Sequence, residues 1–222
     1  MLSEDNSRFG VTISKQELST LPIFRYEGNV VTIEDTAQVD NAIAALRQSD
    51  IIGFDTETKP TFKKGQLHNV ALIQLCTRDC CYLFRICKIG IPDALVSLLE
   101  DPTVKKIGLS IHDDFHNLNR LRNFIPGGFV DLQSYVKQYK IKDNSLSRIF
   151  GILFGMRISK GQQLSNWEAP SLSPSQEHYA ALDAHACIRI FDYISSGAFS
   201  PQDSPYYREP LSSSPGIQQQ NS

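Results

Sequence analysis

The chain has 222 residues, 41% of them hydrophobic and 21% charged, an ordinary globular composition that allows one buried core. A formal net charge of −2 and a pI near 6.2 exclude a protein that coats duplex nucleic acid by charge alone, while leaving room for an enzyme that holds a strand end. No apolar run approaches the roughly 20 residues that cross a bilayer. The polar start Met1-Leu2-Ser3-Glu4-Asp5-Asn6 lacks the basic and apolar parts of a secretory signal, so a cytoplasmic protein with no membrane partner is expected.

Residues 1–29 read as a mixed arm lying on the domain. Val30–Ile33 reads as a strand and Glu34–Gln48 as a helix, with Val39, Ala42, Ile43, Ala45 and Leu46 on its apolar face. Ile51–Thr56 is a short β-type run. Val70–Cys76 and Cys81–Phe84 form a hairpin through Thr77–Cys80. Pro92–Leu99 is helical, Lys106–Ile111 is a strand, Asp114–Asn123 is helical, and Phe129–Asp131 is a short strand leading into a helix. From Asn144 the pattern is helical, with loops around Lys160–Ser171. The last helix has a clear start, with Ser173 as N-cap, Pro174 at the first helical position and Gln176 three residues after the cap. It runs to about Ser195. Residues 197–222, rich in Ser, Pro and Gln, read as a disordered tail. Early strands followed by helices favour an α/β fold, a mixed β-sheet flanked by helices. The odd set Cys76, Cys80, Cys81, Cys87 and Cys187 lacks zinc-ligand spacing and reads as buried reduced thiols.

Three acidic sites carry chemistry. In Phe54-Asp55-Thr56-Glu57 the two carboxylates sit two apart, so a strand points both to one side. Their repulsion calls for a positive partner, and a hard divalent cation with oxygen ligands supplies it; a solvated strand end is the bland alternative. The second site, His112-Asp113-Asp114, follows a strand and opens a helix, a favoured ligand position in α/β proteins. Helix capping accounts for Asp113, and His112 reads as a packed or solvated side chain. In the third, Tyr179 and Asp183 are four apart on one helix face. Ala180, Ala181, Ala184 and Ala186 surround Asp183, so the helix approaches the sheet closely and the carboxylate needs a partner.

Phe54–Glu57, Gly108–Phe115 and Tyr179–Asp183, in that order, resemble the three motifs of the DEDD superfamily of 3′→5′ exonucleases, in the subclass with a tyrosine in the third motif. Within it the chain is similar to ribonuclease D and to the exonuclease domain of the Werner-syndrome helicase. Ser145-Leu146 and Lys160–Trp167 match the family stretch before the final helix, although Asn166 stands where the family often has Asp. The resemblance spans about residues 30–196 and implies a ribonuclease H-like exonuclease domain. It also implies two divalent ions, Mg²⁺ or Mn²⁺, held by Asp55, Glu57, Asp114 and Asp183, with Tyr179 orienting the attacking water. The substrate would be DNA or RNA with a free 3′ end. The Asn166-Trp167-Glu168 stretch is closer to the Werner-type branch and implies DNA. Thr56, Phe62, Lys160 and Trp167 are candidate nucleic-acid contacts, with core packing the plain alternative for Phe62 and Trp167. The rival function is a catalytically silent nucleic-acid-binding or scaffold domain of the same fold.

Overall fold

The computed structural model describes residues 9–61 and 67–209. In chain order the elements are β1 (Gly10–Val11), α1 (Lys15–Thr20), β2 (Asn29–Ile33), α2 (Val39–Leu46), β3 (Ile51–Thr58), β4 (Val70–Cys76), β5 (Cys80–Phe84) and α3 (Ile86–Ile89). They continue with α4 (Asp93–Glu100), β6 (Lys105–Gly108), α5 (Ile111–Asn119), β7 (Phe129–Asp131), α6 (Leu132–Lys137), α7 (Leu146–Phe154), α8 (Pro174–Ser195) and β8 (Tyr207–Arg208). No helix among the described residues is long and apolar enough to cross a membrane.

Six strands form a mixed sheet in the order β2-β5-β4-β3-β6-β7. β4 runs antiparallel to β3 and β5, while β2–β5, β3–β6 and β6–β7 are parallel. The expected mixed sheet flanked by helices is therefore the observed architecture. β4 is buried along its whole length, as its near-continuous apolar sequence requires of a central strand. One apolar layer packs α2, α4 and α5 on one sheet face, and a second packs α6, α7, α8 and the N-terminal arm on the other.

β3 and α8 meet unusually closely. A Cβ on Gly53 would lie 2.0 Å from the Ala184 carbonyl oxygen, so only glycine fits there. Ala180, Ala181, Ala184 and Ala186 are all fully buried against the sheet. Ser173 caps α8 in a reciprocal pair with Gln176, as expected from the sequence.

Several expectations need correction. The region Glu34–Gln48 is split into a 3₁₀ turn, Thr36–Gln38, capped by Asp35, and then α2. β6 stops at Gly108, because Ser110 takes a left-handed conformation (φ 60°) that ends the extended backbone early. Helix α5 thus starts at Ile111, and Asp113 is an exposed residue of its first turn rather than its cap. Cys76 and Cys81 face each other, fully buried, across β4–β5, and Cys187 is also buried, while Cys80 is half-buried and Cys87 is exposed, so buried thiols describe only part of the set. The chain after Gly197 is ordered to Glu209 instead of forming a tail throughout. β8 pairs with β1, Tyr207 stacks on Phe9, and Arg208 bonds Glu17 at 2.7 Å. Tyr206 and Tyr207 pack against the core and supply apolar contact that the Ser/Pro-rich composition concealed. Residues 210–222 of that expected tail lie outside the described residues.

Candidate active site

The site lies at the C-terminal end of β3. Asp55 and Glu57 project from the face that α8 covers, and α8 brings Asp183 to them. Each of the three offers a carboxylate oxygen, and these oxygens all lie within 4.8 Å of one another. Four charges are close: Asp55 is raised well above the usual carboxylate range by burial first, then by Asp183, Asp114 and Glu57. Burial, then Asp183 and Asp114, push Glu57 up to about 8. Burial raises Asp183 to about 7, against the nearby Tyr179 hydroxyl and the nearby charge of Lys160. Repulsion on this scale is what a positive occupant would relieve.

Asp114 is not part of the three-way group. It reaches the end of β3 from α5, on the other sheet face, and accepts a hydrogen bond from the Thr56 hydroxyl. Burial raises it to about 6, with that hydrogen bond opposing the rise and Asp113 and Asp131 adding to it. Thr56, expected to touch nucleic acid, thus spends its hydroxyl on placing Asp114. The bend before α5 is held by Asp131, whose Oδ1 accepts from the Ser110 N–H at 3.1 Å and from the Gln133 N–H at 2.8 Å.

Tyr179 lies one turn before Asp183 on α8, with its hydroxyl within electrostatic reach of that carboxylate. Burial, with Asp183 and Glu57 nearby, raises the phenol far above its ordinary value, so it keeps its proton at neutral pH. Trp167 is fully buried, its ring 6.1 Å from that of Tyr179, in a cluster with Leu72, Leu83 and Ala180. It has no free face for a base and seats Tyr179 instead, which is the core-packing alternative expected for it. Lys160 is exposed on its loop and within electrostatic reach of Asp183. Phe62 lies outside the described residues. His112 is 96% exposed and apart from the carboxylates' pocket.

Two supporting residues are not evident from the sequence motifs. Asp131 is one. The other is Gln74, paired in register with Asp55, fully buried, its amide nitrogen and oxygen without a hydrogen-bond partner among the described residues. A lone glutamine inside Val-Ala-Leu-Ile-Gln-Leu-Cys was the available signal, since a buried amide on a central strand needs a reason.

A mixed sheet whose central strand ends in carboxylates, met by an aspartate and a tyrosine from a covering helix, defines an α/β nuclease-type domain. A family model described as 3′-5′ exonuclease matches residues 30–197, and the chain belongs to that family. It is 30% identical over 192 residues to a mouse bifunctional 3′-5′ exonuclease/ATP-dependent helicase WRN, covering 79% of this chain and 13% of that protein. An Arabidopsis thaliana 3′-5′ exonuclease is 29% identical over 199 residues, covering 82% of this chain and 69% of that one. The chain thus spans only a small part of the mouse relative. Among solved structures, the EXO domain of Aedes aegypti Nibbler has the same fold, with a TM-score of 0.68 at 23% identity, covering 81% of this chain and 96% of that one.

Proposed function

We propose that this chain hydrolyses phosphodiester bonds one at a time from the 3′ end of a nucleic-acid strand and releases nucleoside 5′-monophosphates. The observation that carries this reading is the convergence of Asp55, Glu57 and Asp183 on one point, with Tyr179 one helical turn from the last. The donor set is all oxygen and strongly anionic, which fits Mg²⁺ or Mn²⁺ and disfavours softer metals. Asp55, Glu57 and Asp183 would hold one ion, and Asp114, sharing Asp55, would support a second. Bound there, such ions activate a water and relieve charge on the attacked and leaving oxygens.

The chain's own residues do the rest. Tyr179, kept protonated, orients the attacking water through its hydroxyl and does not abstract its proton. Lys160 stands where a phosphate oxygen near Asp183 would meet a positive charge. The Asn166-Trp167-Glu168 stretch, closer to the Werner-type branch, favours DNA, and contacts to a 2′-hydroxyl would decide between DNA and RNA. The scaffold alternative would normally accompany the loss of a carboxylate, and all four are present.

Matched DNA and RNA strands carrying a 5′ label test the reading. With Mg²⁺ or Mn²⁺ a descending ladder of labelled products is expected, and a chelator stops it. Cleavage of circular single strands, or tight binding with no product in either metal, contradicts it.

A further inference from the structure

Two clefts lie side by side along α8, and the arm residues Ile23–Glu27 form a wall of both. The first, of about 610 Å³, reaches Tyr179 and is floored by Ser175, His178 and Leu182. The second, of about 490 Å³, is floored by His185 and Arg189. Ser175, His178, Leu182, His185 and Arg189 are three or four apart, so they form one stripe of α8. At 1.5 Å per residue that stripe is about 20 Å long and leads away from the catalytic tyrosine.

The wall is firmly built. Phe24 donates its N–H to the Arg157 carbonyl at 2.9 Å, its ring lies 4.9 Å from that of Phe150, and Tyr26 meets the His185 ring at 5.0 Å. Arg189 sits 4.8 Å from the Phe24 ring and 4.9 Å from that of Phe154.

The second cleft is basic in an otherwise acidic chain. Arg25, Arg78 and Arg189 line it against Glu27 alone. Arg78 is held by Asp192 through two hydrogen bonds of 2.8 Å. Among the described residues Arg25 and Arg189 have no carboxylate partner, as is also true of Arg120 and Arg157 outside the second cleft, whereas Arg47, Arg85, Arg122, Arg148 and Arg208 each have one. Arg25 is exposed and borders both clefts. His185 adds a buried Nδ1 without a partner among the described residues. Planar guanidinium groups left without carboxylates suit phosphate oxygens.

We propose that this stripe and the arm carry the single strand upstream of the scissile bond, with Arg25 and the basic cleft holding its backbone phosphates. Grip on the strand is thus spread beyond the catalytic pocket, along the arm. This path presupposes the nuclease reading of that pocket.

The test is the affinity of a labelled twelve-nucleotide single strand, measured by fluorescence anisotropy with Ca²⁺ in place of Mg²⁺ over a salt series. Arg25→Ala should weaken binding about tenfold, the scale of one charged hydrogen bond. It should also lower the slope of log affinity against log salt by about 0.7, the value for one phosphate on a single strand. Arg25→Lys should keep the slope. Arg120→Ala, on the exposed end of α5 and outside both clefts, should match the unsubstituted chain. An Arg25→Ala protein indistinguishable from Arg120→Ala in affinity and slope overturns the path, as does an unsubstituted chain that does not retain the strand. Arg25-dependent binding without release of 5′-monophosphate in Mg²⁺ would instead overturn the nuclease reading, leaving a strand-binding surface with no scissile bond beside it.

Discussion

Asp55, Glu57, Asp114 and Asp183 all hold protons more tightly in the folded chain than carboxylates in water do, and burial is the largest cause for each. The folded protein therefore binds more protons than the unfolded one between about pH 4 and pH 8, the window set by ordinary carboxylates below and Glu57 above. Stability of the metal-free protein should fall as pH rises through that window. Adding Mg²⁺ should raise the melting temperature more at pH 8 than at pH 5; a metal-free melting temperature that climbs with pH would contradict this. Tyr179→Phe isolates the hydroxyl, because the ring keeps its seat against Trp167. We expect kcat to drop about a hundredfold with little change in KM, the lower end of what a positioned proton-bearing group contributes. Residues are the scale at which the sequence is most readable. A strand spacing of two and a helix spacing of four are enough to put the carboxylates and the tyrosine on shared faces. Gln74, Asp131 and the Thr56–Asp114 bond are not readable in this way, because each depends on which distant segment lies alongside.

The contact between β3 and α8 decides whether the third motif reaches the first. Gly53 gives up its side chain so that the Ala184 carbonyl can come close, and Asp183 sits one residue earlier on the same helix. Gly53→Ala forces its new methyl group against that backbone carbonyl, so it should destabilise the protein by about 1–3 kcal/mol. It should also raise the Mg²⁺ concentration needed for half-maximal activity, since Asp183 is pushed off its partners. Denaturant unfolding and a metal titration check the two parts. The alanine-rich face of α8 and its capping residues announce this helix plainly. The end of β6 is not announced, because a serine with a left-handed backbone has no sequence signature.

The whole molecule is tied by its two ends. Asp143 accepts from the Thr12 hydroxyl and the Ile13 N–H, both at 2.9 Å, and from Arg148 at 2.7 Å, fastening the arm to the domain. Losing it leaves a buried backbone N–H unpaired. Asp143→Ala should cost about 2–4 kcal/mol of stability, measured by denaturant unfolding. A loss under about 0.5 kcal/mol, ordinary for a surface change, would mean the arm is not anchored there. The arm's attachment and the β1–β8 pairing are hidden from sequence because both join residues that are far apart in the chain.

Asp55→Ala, assayed on a 5′-labelled strand with Mg²⁺, tests the central claim most directly. Removing the carboxylate proposed to serve both ion positions should abolish the descending ladder while leaving the far-ultraviolet circular dichroism of the fold intact. A folded Asp55→Ala protein that shortens the strand as fast as the unsubstituted chain would show that the acidic pocket is not where the chemistry happens.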